Sequence, residues 1–231
     1  MPFRGRAAAR GKDVVSRLRP VVAVALGFGA GSVPFSNLGA RWFAGVDLRS
    51  VGTGTVSGSG LYDVAGKWPL VLVGLLELGK GALGPLVAGR DHPWAAALAG
   101  GAAVTGHNWS PFLGGAGGRG ISPAMGALMP YVPAGTLALS AGLAAGKLAG
   151  ETALGCLAAD AALVPVALRA HGRDGGRAAW AVLVPLLVKR ILGNGTPAPG
   201  RPRREVYLWR LLFDRDRPGA PGAAARSEER R

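Results

Sequence analysis

The chain of 231 residues has one cysteine, three histidines and 13 acidic residues against 27 lysines and arginines. A lone Cys156 cannot close an intramolecular disulfide. His92, His107 and His171 are read into separate loops, so the expectation is no metal and no other cofactor. Aromatic residues make up only 6% of the chain and do not interleave with the basic ones. Six Lys/Arg lie before Pro20 (Arg4, Arg6, Arg10, Lys12, Arg17, Arg19) and eleven lie from Lys189 onward, so the net charge of +14 reads as two basic tails. A nucleic-acid surface needs basic residues on a folded face beside stacking aromatics, and that pattern is missing. Attraction to anionic lipid headgroups accounts for the charge more simply.

Charge is also missing from the middle of the chain. Pro20 to Ala40 and Gly120 to Gly146 are charge-free for 21 and 27 residues, and Trp94 to Gly118 carries only His107. Each run is long enough to cross roughly 30 Å of hydrocarbon. With 49% hydrophobic and 17% charged residues, the composition is that of a polytopic membrane protein, an all-α helix bundle. Apolar segments fall at 20–41, 68–89, 94–112, 121–130, 131–147, 150–169 and 178–193. Pro123, Pro130 and Pro133 leave two possibilities for 121–147, a half-helix followed by a full helix or one kinked helix, and so six or seven spans. Residues 1–19 read as a basic tail, 20–217 as the membrane domain and 218–231 as a disordered tail. The basic stretch followed by a long apolar one has no clear cleavage signal and reads as a retained first helix.

Three polar features interrupt this background. Glu77 and Lys80 lie three residues apart, on one face of an apolar helix, where they can neutralise each other. Charge inside a membrane segment is costly enough that such a pair marks a functional site by default, the alternative being an ion pair that snorkels to the interface. The stretch Asp47 to Gly60 gathers five hydroxyls and four glycines, which fits either a linker or a loop around an anion or polyol. Gly106-His107 through Gly117-Gly118-Arg119-Gly120 places one imidazole and one guanidinium in a glycine loop whose backbone N–H groups can turn toward a phosphate oxygen.

Taken in order, these motifs resemble the acyl-phosphate-dependent glycerol-3-phosphate acyltransferases of the PlsY type, from about Gly31 to Asp216. Gly31-Ser32-Val33-Pro34-Phe35 is similar to the family's Gly-Ser-Ile-Pro. Val46-Asp47-Leu48-Arg49 with Gly52-Thr53-Gly54 is similar to its Asp-Ile-Arg and Gly-Ser-Gly-Asn loop. Glu77-Leu78-Gly79-Lys80-Gly81 is similar to Asp-x-x-Lys-Gly, and the His107 to Gly120 segment to Gly-His…Gly-Gly-Lys-Gly.

The resemblance implies a seven-helix enzyme of the bacterial plasma membrane that moves an acyl group from acyl-phosphate to the 1-hydroxyl of glycerol 3-phosphate. Its partners would be these two small molecules and membrane lipids. It implies catalytic roles for Thr53 and His107, the imidazole orienting a substrate phosphate or, less favoured, assisting proton transfer. Phosphate binding would fall to Gly52, Gly54 and Ser59, to the cations Arg49, Lys80 and Arg119, to Gly117, Gly118 and Gly120, and to Arg204 and Arg210 near the C-terminus.

Several positions depart from the family pattern. Thr55 and Gly60 stand where the family has Asn, Asp63 where it has Arg, and Ala116 where it has Lys. Arg119 keeps the charge of a second Lys, while Arg204 and Tyr207 fall where His and Asn are expected. Three readings follow: a divergent glycerol-3-phosphate acyltransferase, a related enzyme with a changed acceptor or donor, or a catalytically silent protein that binds lipid phosphates. The family topology puts the active loops in the cytoplasm and the N-terminus outside, whereas six basic residues ahead of the first helix argue for an inside N-terminus.

Overall fold

The computed structural model describes residues 3–52, 54–197 and 202–216, with side chains from Ser16 onward. Thr53 and the tail 218–231 lie outside the described residues. Among the described residues the chain is helical without strands: α1 (Phe3–Ser32), α2 (Phe35–Ala44), α3 (Gly58–Ala65), α4 (Lys67–Ala88), α5 (Pro93–Asn108), α6 (Ile121–Leu128), α7 (Pro133–Leu148), α8 (Thr152–Leu192) and α9 (Arg203–Phe213). Among the described residues, three stretches are long and apolar enough to cross a membrane: Ser16–Ala44, Lys67–Ala88 and Thr152–Leu192.

Proline and glycine set the breaks. The first apolar segment ends earlier than the hydropathy suggests, because Pro34 disfavours helical backbone at Val33 and separates α1 from α2. The third stops at Asn108 rather than at residue 112, and Pro111–Leu113 forms a single tight turn. The 121–147 question resolves as two helices. α6 ends at Leu128, and Pro133 occupies the first turn of α7, where its missing N–H costs nothing. The 41-residue α8 is interrupted at Gly172, with φ 63° and ψ −154°. Its two limbs run antiparallel, since the Arg190 guanidinium reaches the Ala153 carbonyl and Gly175 lies against Ala167.

Helices in lipid gain little from apolar burial against each other, so close backbone approach must hold them. Gly27 and Gly31, one turn apart on α1, rest directly on the backbone of Ala99 and Ala103 of α5. Gly81 of α4 sits on Pro123, and Gly126 of α6 sits on Leu78. A Cβ at any of these four positions would run into backbone rather than into a flexible side chain. Leu128, Leu139, Leu163 and Val182 fill the largest apolar cluster, among α6, α7 and both limbs of α8.

The directions of the helices sort the loops. Arg19 of α1 donates to the Val87 carbonyl at the C-terminal end of α4 (2.7 Å), so the start of α1 and the end of α4 lie together. The end of α1, the start of α4, the end of α5, the start of α6 and the end of α8 all meet at the opposite pole. Three motif-bearing loops are thereby brought to one end.

The glycine contacts yield a paired prediction. Gly126→Ala should lower the unfolding temperature in detergent by an amount equivalent to about 1–3 kcal/mol of overpacking. Gly74→Ala, where an added Cβ meets nothing within 4 Å, should leave it unchanged or raise it, because Ala is the better helix former by about 1 kcal/mol.

Candidate active site

At the loop-bearing pole, Glu77 and Lys80 of α4 meet His107 of α5. All three are buried, with 3%, 5% and 8% of their surface exposed, so the pair does not snorkel. Lys80 Nζ lies 2.8 Å from Glu77 Oε2, and His107 Nδ1 lies 3.2 Å from the same oxygen. The other carboxylate oxygen, Oε1, accepts from Ser36 N–H (3.2 Å) and Ser36 Oγ (3.1 Å) at the start of α2. Lys80 Nζ also donates to the Val33 carbonyl (2.7 Å) and stands 3.0 Å from His107 Nδ1. The carboxylate and ammonium thus join α1, α2, α4 and α5 at one point.

The three ammonium protons of Lys80 match three acceptors, Glu77, Val33 and His107. Nδ1 faces both the ammonium and, slightly farther off, the Glu77 carboxylate; taking the shorter contact as the hydrogen bond makes Nδ1 the acceptor of an ammonium proton, and we assign the ring proton to Nε2 on that basis. Nε2 abuts Gly118, where a Cβ would collide with it and with the Val56 carbonyl. Lys80, expected from the sequence to neutralise phosphate, thus has its three protons facing acceptors within the protein, and His107 Nε2 lies at the glycine loop.

That loop is folded on itself. Gly115 N–H donates to Ser110 O (2.9 Å), Gly118 N–H to His107 O (3.2 Å) and Gly117 N–H to Asn194 Oδ1 (3.3 Å). Gly54 N–H closes a turn onto Val51 O (3.0 Å). Gly52 and Gly54 have φ of 53° and 69°, which glycine adopts without strain. The amide cradle expected around Gly54, Gly117 and Gly118 thus already donates to protein acceptors. Gly120, with φ 79°, precedes α6. Val56 N–H donates to Gly117 O (3.1 Å), and Asn194 Nδ2 donates to Gly117 O (2.9 Å) and Gly54 O (3.3 Å). The two glycine loops are therefore held side by side, and Asn194 is the clamp. Sequence reasoning missed Asn194, although its Gly193-Asn194-Gly195 setting directly after an apolar helix is a turn signal.

The expected cations divide into distinct environments. Arg49 forks onto Asp47 at 2.7–3.2 Å, and this bonding, with help from Arg41, holds the Asp47 carboxyl well below the usual range. Ser59 Oγ pairs with Ser57 Oγ (3.0 Å) at the start of α3. Arg119 Nε is 2.9 Å from Asp214 Oδ2, and its other nitrogens donate to the carbonyls of Asp214 (3.0 Å) and Lys189 (3.3 Å). Burial pushes the Asp214 carboxyl up, while Arg119 and Arg190 oppose the shift. Arg210 binds Asp216 (2.5 Å) and the carbonyls of Leu192 (2.5 Å) and Gly195 (3.1 Å), tying α9 to the end of α8. Arg204 is exposed on α9.

Two sequence readings need correction. Lys189 and Arg190 are not part of a basic tail: they are 1% and 6% exposed, inside the bundle. His107 and His171 lie in helices rather than in loops. Of the departures from the family pattern, Ala116 packs into the apolar cluster around Leu48, Val56 and Leu113, and Asp63 is exposed on α3.

The buried cluster predicts non-additive energetics. Glu77→Ala should cost about 3–5 kcal/mol of stability, because it strands a buried ammonium. Adding Lys80→Met to Glu77→Ala should recover much of that loss. A double-mutant cycle on thermal or denaturant unfolding checks this, and additive losses would contradict it.

A family model described as glycerol-3-phosphate acyltransferase matches residues 21–192. A glycerol-3-phosphate acyltransferase of Synechococcus sp. (strain CC9902) is 33% identical over 174 residues, 74% of this chain and 86% of the relative. One from Myxococcus xanthus (strain DK1622) is 39% identical over 145 residues, 61% of this chain and 76% of the relative. Among solved structures, the fold is similar to PlsY (YgiH), an integral membrane glycerol 3-phosphate acyltransferase, in its glycerol 3-phosphate form. That likeness has a TM-score of 0.68 at 23% identity and covers 89% of this chain and 97% of that one. The lysophosphatidic acid form gives a TM-score of 0.66 at 21% identity, over 86% and 94%. The chain belongs to the glycerol-3-phosphate acyltransferase family.

Proposed function

We propose that this chain transfers a fatty acyl group from acyl-phosphate to the 1-hydroxyl of glycerol 3-phosphate, releasing lysophosphatidic acid and inorganic phosphate. The observation that carries the reading is the convergence of three separate motif segments on one pole of a membrane helix bundle. His107 Nε2 faces Gly118, and Asn194 holds the Gly117 loop against Gly54.

In this reaction the hydroxyl oxygen bonds to the acyl carbon, the acyl C–O bond to phosphate breaks, and the hydroxyl proton leaves with the phosphate. Developing negative charge requires preorganised donors and cations. The Nε2–H of His107 is such a donor, fixed by a ring whose other nitrogen accepts from Lys80. That arrangement favours orienting a substrate phosphate over accepting a proton. Arg49 and Ser59 on one loop, with Gly52 and Gly54 shaping its turns, and Gly117, Gly118, Arg119 and Gly120 on the other are the phosphate-facing walls of the proposed site, with Arg204 and Arg210 on α9 at its edge, and Thr53 keeps the catalytic role that the family resemblance implies. Lys80 acts through His107 rather than on the substrate.

The setting fits a bacterial plasma membrane, with residues 20–217 acting as one unit and the loop-bearing pole toward the compartment that holds the phosphorylated substrates. Leu38, Trp42 and Phe43 of α2 and Trp68 at the start of α4 are exposed beside the site. Aromatic residues of this kind favour the interface between water and hydrocarbon, where an acyl-phosphate would present its headgroup.

Phosphate release from palmitoyl-phosphate by the detergent-purified chain, with lysophosphatidic acid followed by mass spectrometry, tests the proposal. Release should depend on glycerol 3-phosphate, and His107→Gln should lower kcat/KM about 10–100-fold, the range for one charge-assisted hydrogen bond. Release that needs a different acceptor would mean that the changed loop has changed the substrate. No turnover by folded protein would overturn the proposal.

A further inference from the structure

The fold neutralises its buried cations with one exception among the described residues. Lys80 has Glu77, Arg119 has Asp214, Arg190 has Asp160 at 3.7 Å with the Leu211 carbonyl at 2.7 Å, and Arg210 has Asp216. Lys189 is 1% exposed, and among the described residues its ammonium has no ion-pair or hydrogen-bonding partner and lies over the ring of Trp109, 5.2 Å from the centroid. An aromatic face attracts a cation but supplies neither a counter-charge nor a hydrogen-bond acceptor. A buried, unpaired ammonium is among the most costly groups a protein can carry, and it persists where something else completes it.

Its position says what completes it. Trp109 directly follows the His107-Asn108 pair that ends α5. The Lys189 carbonyl accepts from Arg119. Little more than one turn further along the chain, Asn194 clamps the two glycine loops. Lys189 therefore belongs to the same pole as His107 and Arg119, on the last turn of α8, and the carboxylates around it are already held by other cations. A ligand that satisfies it must bring its own negative charge.

We propose that Lys189 is a phosphate-binding residue of this site, its ammonium held against Trp109 until a substrate phosphate takes it as a hydrogen-bonding partner. This inference rests on the phosphate chemistry proposed above. The group recognised is a phosphate with ionised oxygens, which either glycerol 3-phosphate or acyl-phosphate supplies.

The test compares the full-length wild-type chain with Lys189→Met and Lys189→Arg in detergent. KM is measured separately for palmitoyl-phosphate and for glycerol 3-phosphate, and thermal unfolding is followed with and without inorganic phosphate. Lys189→Met should unfold at or above the wild-type temperature, since it removes an unpaired buried charge. It should also raise KM for one of the two substrates about tenfold or more and lose the phosphate-dependent rise in unfolding temperature. Which KM moves identifies the substrate whose phosphate is bound, and Lys189→Arg should restore most of the loss.

Unchanged KM values with the phosphate-dependent rise retained would overturn the proposal. So would a fall in unfolding temperature together with kcat at unchanged KM, which marks a structural lysine. If the wild-type chain shows no acyl transfer, the acyltransferase reading fails by itself. A phosphate-dependent rise present in the wild type and lost in Lys189→Met would then still support the site, and its absence from the wild type would overturn it.

Discussion

The carboxylate of Glu77 is the point on which the rest of the site depends. In an apolar bundle an ionised carboxylate is tolerable only if both oxygens are engaged, and here Ser36 takes one while Lys80, whose ammonium also holds His107, takes the other. Those partners come from α2, α4 and α5, so satisfying a single charge fixes the relative placement of three helices. The Val33 carbonyl, freed from helical bonding at the break before Pro34, completes the ammonium of Lys80. Proline at the end of the first helix thus has a chemical consequence as well as a geometric one.

From that anchor the function-bearing groups follow in order. Lys80 fixes the imidazole of His107, His107 presents Nε2 to Gly118, and Gly118 must lack a side chain for the ring and the Val56 carbonyl to fit. Asn194 then ties the Gly117 loop to the Gly54 loop. The glycine-on-backbone crossings of α1 with α5 and of α4 with α6 hold the helices that carry these groups, with little help from apolar burial.

Much of the bundle was legible in the sequence because hydropathy reports helices directly. The segments near 68–89, 131–147 and 150–169 correspond to α4, α7 and the first limb of α8. The errors came where backbone chemistry overrode hydropathy, as at Pro34 and at the turn after Asn108. The Glu77–Lys80 pair was visible from its three-residue spacing, but its role was not. Spacing shows that two side chains share a face; it cannot show that three acceptors exhaust the ammonium. Lys189 and Arg190 were misread for a different reason. Counting charge toward the C-terminus placed them in a tail, although Val182, Leu183, Leu186, Lys189 and Arg190 continue one buried helical stripe. Asn194 and the partners of Arg119 and Arg210 depend on contacts between distant loops, which no local pattern encodes.

The most direct test of the central claim is a structure of the chain with glycerol 3-phosphate bound. The phosphate is predicted at the pole formed by the Gly54 and Gly117 loops, within hydrogen-bonding distance of His107 Nε2 or Lys189 Nζ and with the Glu77–Lys80 pair intact. A phosphate bound at the opposite pole, near Arg19 and the end of α4, with His107 and Lys189 untouched, would contradict the account.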